Sequence, residues 1–386
     1  MAAPTLRVRE QNIAVFGGSG SGKTVLISSF YGATQEPAFS KDSLFDLIAD
    51  DTGQGNRLRQ NYLGMKNSAL APEPTRFAAT TYSFTVKLKE GDNAKAAKSR
   101  PFDALRLVWH DYPGEWFEEE PSSEQEAERR LEAFRRLLRS DVAVILVDGQ
   151  KLLDYAGEEE KYLKSMLWGL RDGLRRLKAD LLDDGEPLVE FPRIWILALS
   201  KADLHPDLDV RGFQDLLIEK AAGDIGSLHD ELKSLVELPE ALSLGEDFML
   251  LSSAKFEPGN IVVTERKGVP LLLPVACVLP LERLVQWTQR FEIPRKVLDQ
   301  LVDNADVIAR VLVGSRRLIE RIPVVGSYLA VALPFLAQGV KEGAPIIAEK
   351  NRQARANHDY LTAALTQFKL DLEQAVKDRL LVKSRK

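Results

Sequence analysis

The sequence predicts an α/β fold, with a mostly parallel sheet between helices and an α-helical extension towards the C-terminal end. Short apolar runs at 12–16, 104–109, 142–147, 194–199 and 248–251 alternate with segments of helical period, the rhythm of a parallel sheet covered on both faces. The run 142–147 is almost continuously apolar, as a strand buried on both sides requires. After Pro258 the character changes, and from Pro280 onward the spacing is helical.

The 386 residues have room for one large or two ordinary domains. At 45% hydrophobic and 28% charged, they can bury a substantial core and stay soluble. A net charge of −5 gives no basis for general nucleic-acid affinity, so no nucleic-acid partner is expected. The single cysteine, Cys277, excludes an internal disulfide and fits a reducing compartment. Between Val275, Ala276, Val278 and Leu279 it reads as an inert buried thiol. Four dispersed histidines and one cysteine offer no zinc-ligand spacing. Residues 1–11 lack the apolar core of a secretory signal, which favours a cytoplasmic start.

In chain order, Asn12-Ile13-Ala14-Val15-Phe16 is the first predicted strand, and Thr24 to Phe30 has helix-compatible spacing. Between them, Gly17-Gly18-Ser19-Gly20-Ser21-Gly22-Lys23-Thr24 reads G-x-x-x-x-G-K-[ST], a phosphate-binding loop. Glycines let such a loop turn its N–H groups inward around phosphates; Lys23 would reach the β/γ-phosphates, and the Thr24 hydroxyl would ligate Mg²⁺. Strand, glycine loop and helix N-terminus together form the arrangement an anion site needs.

Residues 32–76 show no clean period and hold Gly53, Gly55, Gly64, Pro72 and Pro74 with Arg57, Arg59 and Arg76; about 32–79 reads as a long switch-like insertion. Tyr82, Phe84, Val86 and Leu88 alternate with polar residues and predict a strand over 80–89, followed by a polar turn at 91–98. The next strand, 104–109, ends in His110-Asp111-Tyr112-Pro113-Gly114. Glu115, Glu118, Glu119, Glu120, Glu124, Glu126 and Glu128 read as a solvated loop and helix start, with a partner-facing role as the alternative. Leu131, Phe134, Leu137 and Leu138 mark an amphipathic helix, 162–182 a long one, and 213–238 is mostly helical.

The division predicted is one domain over 1–257 and a mainly helical region over 258–386, with a hairpin at about 260–273. The 19 uncharged residues 322–340 meet the lower length of a membrane span, although Pro323, Gly326, Ser327, Pro334, Gln338 and Gly339 weaken that reading. A buried helical hairpin is preferred, then a membrane or partner docking element, then a span. Residues 351–381 are amphipathic through Leu361, Leu365, Phe368, Leu372, Ala375 and Leu380.

Three further motifs fall at strand ends, where α/β proteins bind ligands. Asp111-Tyr112-Pro113-Gly114 has the D-x-x-G form, in which the aspartate holds Mg²⁺ through water and the Gly114 N–H senses a γ-phosphate. Ser200-Lys201-Ala202-Asp203 resembles the guanine-reading [NT]-K-x-D motif. The Asp203 carboxylate would accept two hydrogen bonds from guanine N1 and N2, a donor pair adenine lacks. The Lys201 stem would cover the base, and Ser200 keeps a hydroxyl but shortens the reach of an amide. Ser253-Ala254-Lys255 looks like the S-A-K motif, whose central N–H contacts guanine O6.

Residues 12–255 therefore resemble a GTPase of the TRAFAC class, and Asp111-Tyr112-Pro113-Gly114-Glu115-Trp116 resembles the bacterial YcjX-like and double-GTPase groups. The resemblance implies a Ras-like P-loop fold and Mg²⁺-dependent hydrolysis of GTP to GDP, with nucleotide-dependent switches. Glu115 stands where many such enzymes carry a water-orienting Gln or His, and reads equally as the first residue of the acidic loop. Thr80 or Thr81 is best placed as the switch ligand to Mg²⁺, with Thr75 as the alternative. No arginine finger is assignable, and slow unassisted turnover is expected. The leading reading is a GTP-hydrolysing molecular switch whose extension contacts a protein partner, a second GTPase or a membrane surface through 322–340. The alternatives are a GTP-loaded scaffold with little hydrolysis and an ATPase with a degenerate base site.

Overall fold

The computed structural model describes residues 8–72, 80–89, 104–112, 114–117, 121–290 and 340–384. Its strands are β1 (Val8–Phe16), β2 (Phe45–Ala49), β3 (Thr80–Leu88), β4 (Ala104–Asp111), β5 (Val142–Asp148), β6 (Ile194–Ser200), β7 (Ser243–Leu250), β8 (Lys255–Glu257), β9 (Asn260–Val262) and β10 (Leu381–Val382). The helices are α1 (Lys23–Thr34), α2 (Pro37–Asp42), α3 (Thr52–Ser68), α4 (Glu124–Leu137), α5 (Gly149–Asp154), α6 (Glu159–Leu181), α7 (Val210–Lys233), α8 (Leu272–Arg290), α9 (Val340–Ala356) and α10 (Tyr360–Lys377).

Eight strands form one sheet in the order β10-β7-β6-β5-β1-β4-β3-β2. The run from β7 to β4 is parallel, while β3, β2 and β10 join antiparallel at the edges. Alternation along each central strand sets the layers. Ile13, Val15, Val142, Val144, Ile194 and Ile196 face one side, where Leu26, Ile27 and Phe30 of α1 meet Val275 and Val278 of α8 and Leu365 and Leu372 of α10. Ala14, Phe16, Ala143, Ile145, Trp195 and Leu197 face the other, against α4, α6 and α7. Burial on both faces explains why these strands read as near-continuous apolar runs.

The stretch that lacks a period resolves into α2, β2 and α3. Strand β2 escapes a sequence reading because five residues with two inward side chains, Phe45 and Leu47, are too short to show alternation. It pairs antiparallel with β3, and Gln35 Nε2 donates to the Leu47 carbonyl at 2.9 Å, which blunts the sheet edge.

The expected hairpin is displaced. Strands β8 and β9 turn at Gly259 (φ 71°), and Val269–Leu271 is a 3-10 turn leading directly into α8. The residues from Leu271 to Leu279 are all buried, a continuous burial that a hairpin strand with one solvated face does not provide. The expected amphipathic stretch 351–381 is two helices broken at His358 (φ 53°), after which β10 returns to the sheet beside β7. Residues 322–339, Thr75, Arg76 and the turn at 91–98 lie outside the described residues. Among the described residues no helix is long and apolar enough to cross a membrane. Cys277 is buried in α8, and burial pushes its thiol up to about 12.

Buried ion pairs fasten the C-terminal elements to the sheet. Arg283 of α8 pairs with the fully buried Asp247 of β7, which also accepts the Ser384 N–H at 3.0 Å. Glu282 pairs with Lys369 of α10 and, at 2.8 Å, with Lys383 beside β10. Asp247→Ala leaves the buried Arg283 guanidinium without its carboxylate, and we expect about 3–5 kcal/mol of lost stability in urea unfolding of the full chain.

Candidate functional site

The chain leaves β1 at Phe16 and turns through residues 17–22 before α1 begins at Lys23. Gly20 (φ 76°) and Gly22 (φ 89°) are left-handed, a conformation that strains any other residue. The residue that precedes α1, Gly22, makes no side-chain cap bond to the helix start. The Lys23 ammonium is buried, donates to the Gly17 and Gly18 carbonyls at 2.7 and 3.3 Å, and lies 5.2 Å from the centre of the Tyr112 ring. Thr24 occupies the first turn of α1 and is half-buried.

Strand β4 delivers Asp111 beside this loop. The carboxylate is 3% exposed, and neither oxygen has a hydrogen-bond partner among the described residues. Burial pushes Asp111 up to about 6, partly offset by the Lys23 charge. The Ser21 hydroxyl is likewise buried without a partner among the described residues. A buried carboxylate with open lone pairs, within the field of the loop lysine, has the oxygen donors a hydrated divalent cation takes, so it fits Mg²⁺.

Gly114 opens a 3-10 turn, Gly114–Phe117, packed on the loop itself: a Cβ there would lie 2.2 Å from Ser19 N and 2.3 Å from the Gly18 carbonyl carbon. Only glycine permits that approach. Glu115 is in the same turn, and its side chain lies outside the described residues. Tyr112, 1% exposed, accepts the Gly17 N–H at 2.9 Å through its hydroxyl.

Residues 200–203 and 252–255 converge at the ends of β6 and β7. Lys201, in a left-handed conformation (φ 53°), spans to the Asp148 carboxylate at 2.8 and 2.9 Å. The Asp148 N–H in turn donates to the Tyr162 hydroxyl at 2.7 Å. Asp203 accepts from the Ser252 hydroxyl at 2.7 Å and from the Phe256 N–H at 3.3 Å. Ser200 is buried, and its hydroxyl donates to the Val147 carbonyl at 3.2 Å inside the sheet. Ala254 is buried, the Ser253 carbonyl accepts from Ser29 of α1 at 2.7 Å, and the Lys255 ammonium turns to Glu257 at 2.8 Å. A cavity of about 250 Å³ opens beside the loop, with Ser19, Ser21, Tyr112, Gly114, Asp148 and Lys151 in its wall.

The loop, Asp111 and Gly114 therefore come together, as do 200–203 and 252–255. Thr80 and Thr81 are strand residues opposite Asp111 and His110, and the Thr81 hydroxyl is 3.4 Å from His110 Nδ1. Arg57 donates to the Tyr82 hydroxyl at 3.1 Å, and Arg59 is exposed on α3. Sequence reasoning misses Asp148, Tyr162 and Ser252, and gives Tyr112 no role. Asp148 carries a usable signal, since it ends an apolar strand as Asp111 does.

With the folded Asp111 above the unfolded value, its contribution to stability is full below about 3.8 and is lost as pH rises through about 6. In chelator and without nucleotide, Asp111→Asn is expected to raise unfolding free energy at pH 7.5 by about 3 kcal/mol and to change little near pH 4. Urea titrations at both pH values check this.

The family model for Double-GTPase 2 matches residues 11–234, more than half of the 386. Among solved structures, the chain is similar to a Plasmodium falciparum protein assigned as nucleolar GTP-binding protein 1, at 14% identity over 77% of this chain and 96% of that one, with a TM-score of 0.31. It is also similar to the GTP-bound SRb/SRX complex of the signal recognition particle receptor from Chaetomium thermophilum, at 18% identity over 67% and 95%, with a TM-score of 0.32. No curated protein matches the sequence. With the phosphate loop, Asp111, Gly114, Lys201 and Asp203 all inside the matched residues, the chain belongs to the Double-GTPase 2 family and is a GTP-binding protein of the GTPase class.

Proposed function

We propose that this GTPase is a Mg²⁺-dependent hydrolase acting as a nucleotide-controlled switch, slow until a partner assists it. The observation that carries this reading is the packing of Gly114 directly on Gly18 and Ser19, next to the unpaired Asp111 carboxylate. A segment in that position registers whether a γ-phosphate is present, because the Gly114 N–H can donate to that phosphate.

The chain's own groups divide the work. The loop backbone, the α1 N-terminus and Lys23 bind and neutralise the phosphates. Thr24 and Asp111 would hold Mg²⁺, which when bound spreads the negative charge of the β- and γ-oxygens; Thr80 or Thr81 is the candidate to complete its shell. Glu115 is the candidate to orient the water that attacks in line. Asp203 would read guanine N1 and N2, held in place by Ser252, while Lys201, steadied by Asp148, covers the base and the Ala254 N–H faces O6.

Arg57 is occupied by Tyr82 and Arg59 points to solvent, which supports turnover well below one per second without help. The same observation favours a second reading, a GTP-loaded scaffold with little hydrolysis. A protein partner, a second GTPase or a membrane surface met through 322–340 would supply the readout, in a cytoplasmic setting.

Calorimetry is expected to show GTP bound more tightly than ATP, and Asp203→Asn to lose about a hundredfold in that preference. Lys23→Ala should abolish hydrolysis and weaken binding of both guanine nucleotides. Tighter ATP binding, or undiminished turnover in Lys23→Ala, would sink the proposal. Single-turnover hydrolysis separates the switch from the scaffold.

A further inference from the structure

Tyr112 is the second residue of the Asp111–Gly114 motif, yet its hydroxyl reaches back to the first residue of the phosphate loop, 95 positions earlier. The Gly17 N–H is buried just beyond the end of β1, and Tyr112 accepts it at 2.9 Å. The ring has little room to shift: it is 1% exposed and lies 5.8 Å from the Phe16 ring and 6.0 Å from that of Phe134. Its face carries the Lys23 ammonium.

Three contacts thus join one short segment to the loop. The Tyr112 hydroxyl holds the Gly17 N–H, its ring flanks Lys23, and Gly114 packs on Ser19. Withdrawing the segment leaves a buried N–H without an acceptor and takes the aromatic face from the loop cation, both of which cost free energy. We propose that Tyr112 is a positioning residue: its hydroxyl holds the γ-phosphate-sensing segment against the loop, and so sets how strongly the protein prefers GTP over GDP. This rests on the GTP-switch reading above.

Tyr162 provides a matched control. Its hydroxyl accepts a backbone N–H of the same kind, from Asp148 at 2.7 Å at the end of β5, but it stands on α6, outside the Asp111–Gly114 segment. Tyr162→Phe removes the same kind of bond without releasing the sensor.

The test uses the full chain with Mg²⁺. Affinities for fluorescent GTP and GDP, single-turnover hydrolysis and melting temperature are measured for the wild type, Tyr112→Phe and Tyr162→Phe. Loss of one buried hydrogen bond corresponds to about tenfold. Tyr112→Phe is therefore expected to lower the GTP-to-GDP affinity ratio about tenfold and to slow single-turnover hydrolysis, while Tyr162→Phe moves both affinities together. A wild-type ratio in Tyr112→Phe, whatever its melting temperature, overturns the inference. So does a Tyr162→Phe protein whose ratio falls as far. Wild-type protein that binds neither nucleotide overturns the GTP-switch reading and this inference with it.

Discussion

A parallel sheet must be covered on both faces, because its central strands present apolar side chains to both sides and its backbone groups are spent on the ladder. That constraint organises the molecule. One face takes α4, α6 and α7, which the sequence supplies between the strands. The other takes α1 and Leu58 of α3 from the same part of the chain, and α8 and α10, far along the sequence, complete it. Helices α8 and α10 are thus part of the same core, with β10 extending the same sheet. The Arg283–Asp247 and Glu282–Lys369 pairs fix how those late elements dock. Burying such pairs is costly, and breaking one costs more, so they hold a single arrangement in place.

The same sheet places the chemistry. The parallel strands all end on one side, and β1, β4, β5, β6 and β7 deliver there the phosphate loop, Asp111, Asp148, residues 200–203 and Ser252. The polar groups at that edge fall into two kinds. Asp148 and Asp203 are satisfied by Lys201, Gln150, Ser252 and Phe256, which makes them rigid parts of the frame. Asp111 and the Ser21 hydroxyl are buried with no hydrogen-bond partner among the described residues, and such groups are costly until something pairs with them. The groups at the ends of β6 and β7 are therefore prearranged, while those beside residues 17–22 are the ones that gain most from a ligand.

Local motifs were legible because their chemistry depends on neighbours in sequence. Gly20 and Gly22 are required where the backbone is left-handed, and Gly114 where a Cβ would strike the loop. Elements with a long apolar period, such as α6 and β5, were equally plain. Short or broken ones were not. Strand β2 has too few residues to alternate visibly, the break at His358 has no glycine or proline to announce it, and Val269–Leu271 looks like a strand until α8 is seen to continue from it.

By itself the sequence determined the α/β class, the strand–loop–helix that surrounds residues 17–24, and the order of the motifs along the chain, since each of these is written in residues a few positions apart. Only the tertiary structure decided which distant groups meet. Tyr112 with Gly17, Lys201 with Asp148 and Ser252 with Asp203 are each separated by 49 positions or more. Such pairs are set by sheet register and strand order, which depend on the packing of the whole core and leave no period in the sequence.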